Sequence, residues 1–142
     1  GWQGLPANIR RTIPKIVNTL HDHSEFGKRL FWLDGISDVD LEKIYTTAVC
    51  LIAASEGEGF GLPLIEAARR HLPILAREIS VFREVAGQYA FYFSGLEAGD
   101  LASAIAEWLI LYEQERYPKS EGMPWMTWSQ SVENLKTILN VS

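Results

Sequence analysis

The sequence predicts an α/β protein in which a parallel sheet is covered by helices on both faces. Two observations lead there. Short apolar runs recur along the chain, and one of them, VCLIAAS from Val49 to Ser55, is apolar at nearly every position rather than at every second one, as strands buried on both faces are. Between these runs lie stretches with apolar residues at helical spacing, so strand and helix alternate as crossover-linked parallel strands require. At 142 residues, 47% of them hydrophobic, the chain has one ordinary domain's length and enough apolar matter for a core.

The elements follow in order. Ile9, Ile13, Ile16, Val17 and Leu20 recur at the spacing of one helical face. Arg29 to Ile36, RLFWLDGI, reads as a strand of aromatic and branched residues ended by Gly35. Ser37 and Asp38 then cap a short helix, VDLEKIYTTA, before the strand VCLIAAS. Leu62 to Arg70 reads as a helix, Pro73 to Ala76 as a strand, Val81 to Ala86 as a short helix, and Tyr89 to Phe93, YAFYF, as another strand. Asp100 to Glu113 carries Leu101, Ile105, Trp108, Leu109 and Tyr112, the stripe of an amphipathic helix. Tyr117 to Pro124, YPKSEGMP, reads as linker, and WMTWSQSVENLKTIL as a last helix. Together these make a Rossmann-like sheet.

Charge and composition narrow the partners. Eighteen acids against thirteen Lys and Arg give a net charge of -5, and without a basic run neither a nucleic-acid groove nor a polybasic membrane patch is supported. The single Cys50 lies inside an apolar run, so it reads as core in a protein of a reducing compartment. No stretch has the form of a secretory leader or of a membrane-spanning segment. The chain starts without Met and reads as a piece of a longer protein.

One stretch asks for a ligand. SEGEGFGLPLIEA, Ser55 to Ala67, joins a strand to a helix, where ligands of open parallel sheets bind. Glycines at 57, 59 and 61 permit tight turns and close approach to the main chain. Pro63 suits the first helical turn, and the unpaired N–H groups around Phe60, Gly61 and Leu62 form an anion site suited to phosphate. Glu58 and Glu66 would repel a bare phosphate, but would accept hydrogen bonds from sugar hydroxyls on either side of one. A nucleotide sugar, with a diphosphate between two sugars, meets all three demands.

At these residues the chain resembles the C-terminal, donor-binding half of GT-B glycosyltransferases, specifically the retaining group known as family 4. That family's signature, Glu-Gly-Phe-Gly-Leu-Pro-x-x-Glu, is matched throughout from Glu58 to Glu66, and the likeness runs from about Gly1 to Leu111. The resemblance implies that residues 1–116 are a nucleotide-sugar donor-binding domain lacking its first strand, with linker and C-terminal helix in 117–142. It implies a catalytic Glu58 on the donor sugar, sugar and phosphate contacts from Gly59, Phe60, Gly61 and Leu62, ribose contacts from Glu66, and a base bordered by Gly35, Ile36 and Ser37. The donor would be GDP-mannose or a UDP-sugar, with neither cofactor nor metal. The acceptor, a carbohydrate or a lipid-linked one, would bind through an N-terminal domain outside this chain. Transfer to an acceptor hydroxyl would retain configuration, as part of polysaccharide biosynthesis, in the cytoplasm or at the cytoplasmic membrane surface. The isolated chain is expected to be inactive.

The pattern departs from the family in three places. Gly1 to Pro6 lacks the family's phosphate-binding Arg and Lys, and Arg10 and Arg11 are poor substitutes. His71 stands where a Gly usually closes the motif helix, so it must either adopt a left-handed cap or end the helix differently. Arg77 and Glu78 replace a small and acidic pair, so donor preference cannot be copied.

An NAD(P)-type dinucleotide-binding domain competes with this reading, because Glu78 ends the next strand where an acid could hold a ribose hydroxyl. Against it, the glycine spacing is G-x-G-x-G and Glu58 occupies the pyrophosphate's place. A non-catalytic nucleotide-sugar or protein-binding module is a further alternative. Arg83 and Glu84 read as a surface ion pair. His21, His23 and His71 are too dispersed for zinc. Trp108, Tyr112, Trp125 and Trp128 lie on helical stripes and read as packing rather than a sugar-stacking platform. Because the C-terminal helix of the resembling family crosses back onto an N-terminal domain, the resemblance implies that Trp125, Met126 and Trp128 form an exposed apolar patch in this chain.

Overall fold

The computed structural model describes residues 7–124, with side chains from residue 14 onward. The chain divides into two compact units, Gly1–Asp40 and Leu41–Ser142. In the first, helix α1 spans Ala7–His21, with Pro14 inside it. A tight turn follows, in which Arg29 Nε donates to the Glu25 carboxylate at 2.6 Å. This pair lies at the surface, where such bonds contribute little.

The run from Arg29 to Ile36 does not form the expected strand. An isolated bridge from Phe26 to Leu30 is its only ladder contact among the described residues, and Phe31, Trp32 and Leu33 are exposed. A strand needs a neighbour to receive its N–H and C=O groups. The described residues of the first unit hold no second strand to provide one.

In sequence, helix α2 (Asp38–Thr47) crosses the division between the units. Its N-cap is Ser37, as read from the sequence: the Ser37 Oγ accepts from the Asp40 N–H at 3.1 Å, satisfying one of the helix's orphan donors.

The second unit holds the sheet. Strands β1 (Leu51–Ala53), β2 (Ile74–Arg77) and β3 (Phe91–Phe93) are parallel and ordered β1-β2-β3. Ile52 lies opposite Leu75, and Ala76 opposite Tyr92. Helix α3 (Leu62–Arg69) connects β1 to β2, α4 (Ser80–Ala86) and a 3-10 turn connect β2 to β3, and α5 (Ala98–Glu113) follows β3.

Successive residues of β2 point to opposite faces, and each face has its own helices. Ile74 and Ala76 pack with Leu64 and Ile65 of α3 and with Phe82 and Val85 of α4. Leu75 packs on the other side with Phe93 and with Ala104 and Trp108 of α5. The expected α/β architecture with both faces covered is therefore present. Fully burying a side chain such as Leu64 or Phe82 contributes about 1.5–3 kcal/mol each.

Strands β1 and β3 are shorter than the apolar runs that announced them, since pairing ends before hydrophobicity does, whereas β2 lies one residue further along than expected. Helix α5 starts two residues earlier than its stripe suggested, because the Asp100 carboxylate reaches back to accept from the Glu97 N–H at 3.0 Å. Trp108 is a core residue with Tyr112 stacked on it, ring centroids 5.0 Å apart, in agreement with the packing expectation.

Tyr117 to Pro124 is docked rather than free. The buried Ser120 hydroxyl donates to the Leu72 carbonyl at 2.9 Å, Met123 joins the α3/α4 core, and Tyr117 packs near Trp108. The residues of this segment have the composition of a turn, yet one buried hydroxyl and one methionine suffice to dock it. Trp125, Met126 and Trp128 lie outside the described residues.

Candidate functional site

The loop from Ala54 to Gly61 leaves the carboxyl end of β1 and enters α3. Its geometry turns on Gly61, the N-cap of α3, which sits in the left-handed region at φ 67°, ψ 28°. A Cβ built there would stand 3.0 Å from the Val85 Cγ2, so a side chain would be strained in conformation and crowded against Val85. Leu62 and Pro63 open the helix, and the Gly61 carbonyl accepts from Leu64 N–H at 3.1 Å and Ile65 N–H at 3.3 Å. The backbone N–H groups of Phe60, Gly61 and Leu62 have no acceptor among the described residues. Open donors at a helix start attract anions.

The two acids differ in setting. Glu58 is half-buried in the loop, and its Oε1 accepts from the N–H of the neighbouring Gly59 at 3.1 Å. Gly59 has open space where a Cβ would go, and Phe60 and Leu62 are exposed. Glu66, in mid-helix, is engaged by cations. Arg70 Nη1 donates to its Oε2 at 2.8 Å and to its backbone carbonyl at 2.8 Å, and Arg69 Nη1 stands 3.5 Å from its Oε1. Arg70 also donates through Nε to Glu42 Oε2 at 2.9 Å and through Nη2 to the same oxygen. Hydrogen bonding to Glu42 first, and then to Glu66, raises the Arg70 pKa, and the same bond to Arg70 lowers that of Glu42.

Sequence reading missed Arg70, Glu42 and Tyr45, whose ring lies 4.6 Å below the Arg70 guanidinium. The spacing of Glu66 and Arg70, four apart on a helix, was the available signal.

At the end of α3, Arg70 N–H donates to the Ala67 carbonyl and His71 adopts φ 56°. This is the left-handed closure expected of a residue standing where Gly is usual.

Arg77, at the end of β2, donates through Nε to the Ala54 carbonyl at 3.0 Å and through Nη1 to the Gly95 carbonyl. It ties the chain leaving β1 to the chain leaving β3. Glu78, the acid of the dinucleotide alternative, accepts from Arg83 Nη2 at 2.7 Å and from Ser94 Oγ at 3.1 Å. Arg83 therefore pairs with Glu78, not with Glu84 as the sequence suggested, because adjacent helical residues do not face each other.

Gly35, Ile36 and Ser37 belong to the first unit. Gly35 turns the chain at φ 64°, Ile36 is exposed and Ser37 caps α2. Among the described residues no three His, Cys, Asp or Glu side chains come together, and no helix is long and apolar enough to cross a membrane.

Fold and loop together define an α/β domain with open helix-start donors at the carboxyl end of a parallel strand, flanked by two acids. Comparison with known proteins gives the family. The model of glycosyl transferases group 1 matches residues 17–123, and the chain belongs to that family. A serotype-specific mannosyltransferase, WbdA, of Escherichia coli is 50% identical over 123 residues, which is 87% of this chain and 15% of the relative. The O-antigen chain mannosyltransferase RfbU of Salmonella typhimurium is 33% identical over 81 residues, 57% of this chain and 23% of the relative. The chain thus spans under a quarter of the length of either. Among solved structures, sucrose-phosphate synthase from Thermosynechococcus elongatus superposes with a TM-score of 0.60 at 19% identity, covering 95% of this chain and 35% of that one. That likeness concerns the fold.

Proposed function

We propose that this chain is the donor-binding part of a retaining glycosyltransferase that moves mannose from GDP-mannose to an acceptor hydroxyl. The observation that carries the reading is the Glu58 to Glu66 loop, with its left-handed Gly61 opening the α3 N-terminus between two carboxylates. Membership of the glycosyl transferases group 1 supports sugar transfer, and the mannosyltransferase relatives support mannose.

In this reading Glu58 accepts hydrogen bonds from hydroxyls of the donor sugar and orients its anomeric carbon. As the bond from that carbon to the diphosphate breaks, charge gathers on the leaving phosphate, and the N–H groups of Phe60, Gly61 and Leu62 meet it. Glu66 accepts from the ribose hydroxyls. The acceptor hydroxyl, held by a part of the protein outside this chain, bonds to the anomeric carbon on the face the leaving group vacated, and its proton passes to the departing phosphate oxygen. The reaction takes place at the cytoplasmic side of polysaccharide assembly and needs no cofactor beyond the nucleotide sugar.

Calorimetric titration of the chain with GDP, UDP, GDP-mannose and NAD tests the reading. Saturable binding of GDP and GDP-mannose is expected, weakened roughly tenfold or more by Glu66→Ala, since a charged hydrogen-bond acceptor is lost. Binding of NAD with no response to GDP or UDP would contradict it in favour of the dinucleotide alternative.

A further inference from the structure

Glu66 lies on one turn of α3 and on an exposed face, where a glutamate has several rotamers open to it. In this structure it has one neighbour that removes that freedom. Arg70 Nη1 holds both the Glu66 Oε2 and the Glu66 backbone carbonyl, each at 2.8 Å. The guanidinium is itself fixed from two further sides: its Nε and Nη2 grip the Glu42 carboxylate, and its plane lies over the Tyr45 ring at 4.6 Å. Tyr45 in turn packs against the α3/α4 core. A chain of contacts thus runs from the core through Tyr45 and Arg70 to Glu66. Its terms differ in exposure: the Arg70 side chain is 19% exposed, whereas Glu42 is 52% and Glu66 40%.

We infer that Arg70 is the positioning residue for Glu66, holding one carboxylate oxygen so that the other is presented to the ribose hydroxyls. This rests on the proposed ribose role of Glu66. The carboxylate has two oxygens and about four acceptor sites. Arg70 takes Oε2, while Oε1 makes only the long 3.5 Å contact with Arg69 among the described residues. An arginine suits the task because its planar fork can hold two carboxylates and stack on an aromatic ring at once, which a lysine cannot. Preorganising an acceptor in this way raises affinity by reducing the rotamer freedom lost on binding.

The test compares GDP with 2′,3′-dideoxy-GDP, and UDP with its dideoxy counterpart, on wild type, Arg70→Met, Arg70→Lys and Glu42→Gln. Wild type is expected to bind the ribose form roughly tenfold or more tightly than the dideoxy form. In Arg70→Met that ratio should shrink toward one through loss of ribonucleotide affinity, with dideoxy affinity unchanged within about twofold. Arg70→Lys should recover part of the ratio. Glu42→Gln, which loosens Arg70 without touching Glu66, should narrow it to a smaller degree and carries the test if Arg70→Met does not fold. A purely structural Arg70 would lower both affinities together. Full discrimination in the folded variants would overturn the inference and leave the ribose reading intact. A wild-type ratio near one would sink the ribose reading and this inference with it.

Discussion

Replacing Gly61 by alanine separates this account from one in which the three loop glycines are merely flexible. Two costs can be worked from the structure. Holding an L-residue at φ 67° costs about 1–2 kcal/mol. Its Cβ would also meet Val85 Cγ2 at 3.0 Å and Val85 Cβ at 3.4 Å, and Val85 is buried, so relief requires a shift of α4 against α3, which adds on the order of 1 kcal/mol. Restricting the unfolded chain returns about 0.4–1 kcal/mol. The net loss is about 2 kcal/mol, or roughly 8–16 °C in melting midpoint for a unit of this size. Gly59→Ala is the control, since nothing lies within 4 Å of a Cβ there and its φ is not positive. Thermal melts followed by circular dichroism read both. A Gly61→Ala protein as stable as wild type, or a Gly59→Ala protein equally destabilised, would refute the reasoning.

Two further predictions concern the packing around the site. Ser120→Ala leaves the Leu72 carbonyl without the buried hydroxyl that reaches it across 48 positions, and denaturant melts should show a loss of about 1–3 kcal/mol; a neutral result would mean that water replaces the hydroxyl. Burial pushes the Cys50 thiol up to about 11, so alkylation at pH 8 should run far slower than for a free thiol and accelerate as pH approaches that value. The sign of the linked stability follows: because the folded state favours the neutral thiol, this contribution is complete below the unfolded pKa near 9 and disappears as pH rises through about 11. Alkylation of the folded protein at the free-thiol rate would contradict the burial.

The sheet was legible because parallel strands covered on both faces must be apolar throughout, so the runs holding the buried Ala53, Leu75 and Phe93 stood out without any partner being known. The loop was legible because Gly61 and Pro63 carry backbone constraints in their own covalent structure. What stayed hidden depended on partners remote in sequence. The aromatic run at Phe31 to Leu33 had the composition of a strand, but composition does not supply a neighbouring strand. Arg70 meets Glu42 across 28 positions, and Arg77 meets Ala54 across 23, contacts that only folding brings about. Ser120 looked like linker because its hydroxyl's acceptor, the Leu72 carbonyl, is backbone and leaves no trace in side-chain pattern.

The central claim is that the loop between β1 and α3 is where a nucleoside diphosphate sits, and amide chemical-shift mapping of the chain during titration with GDP and UDP tests it most directly. The account predicts saturable shifts concentrated from Glu58 to Glu66, lost in Glu66→Ala. Saturable shifts elsewhere, with the Phe60, Gly61 and Leu62 amides unmoved, would contradict it.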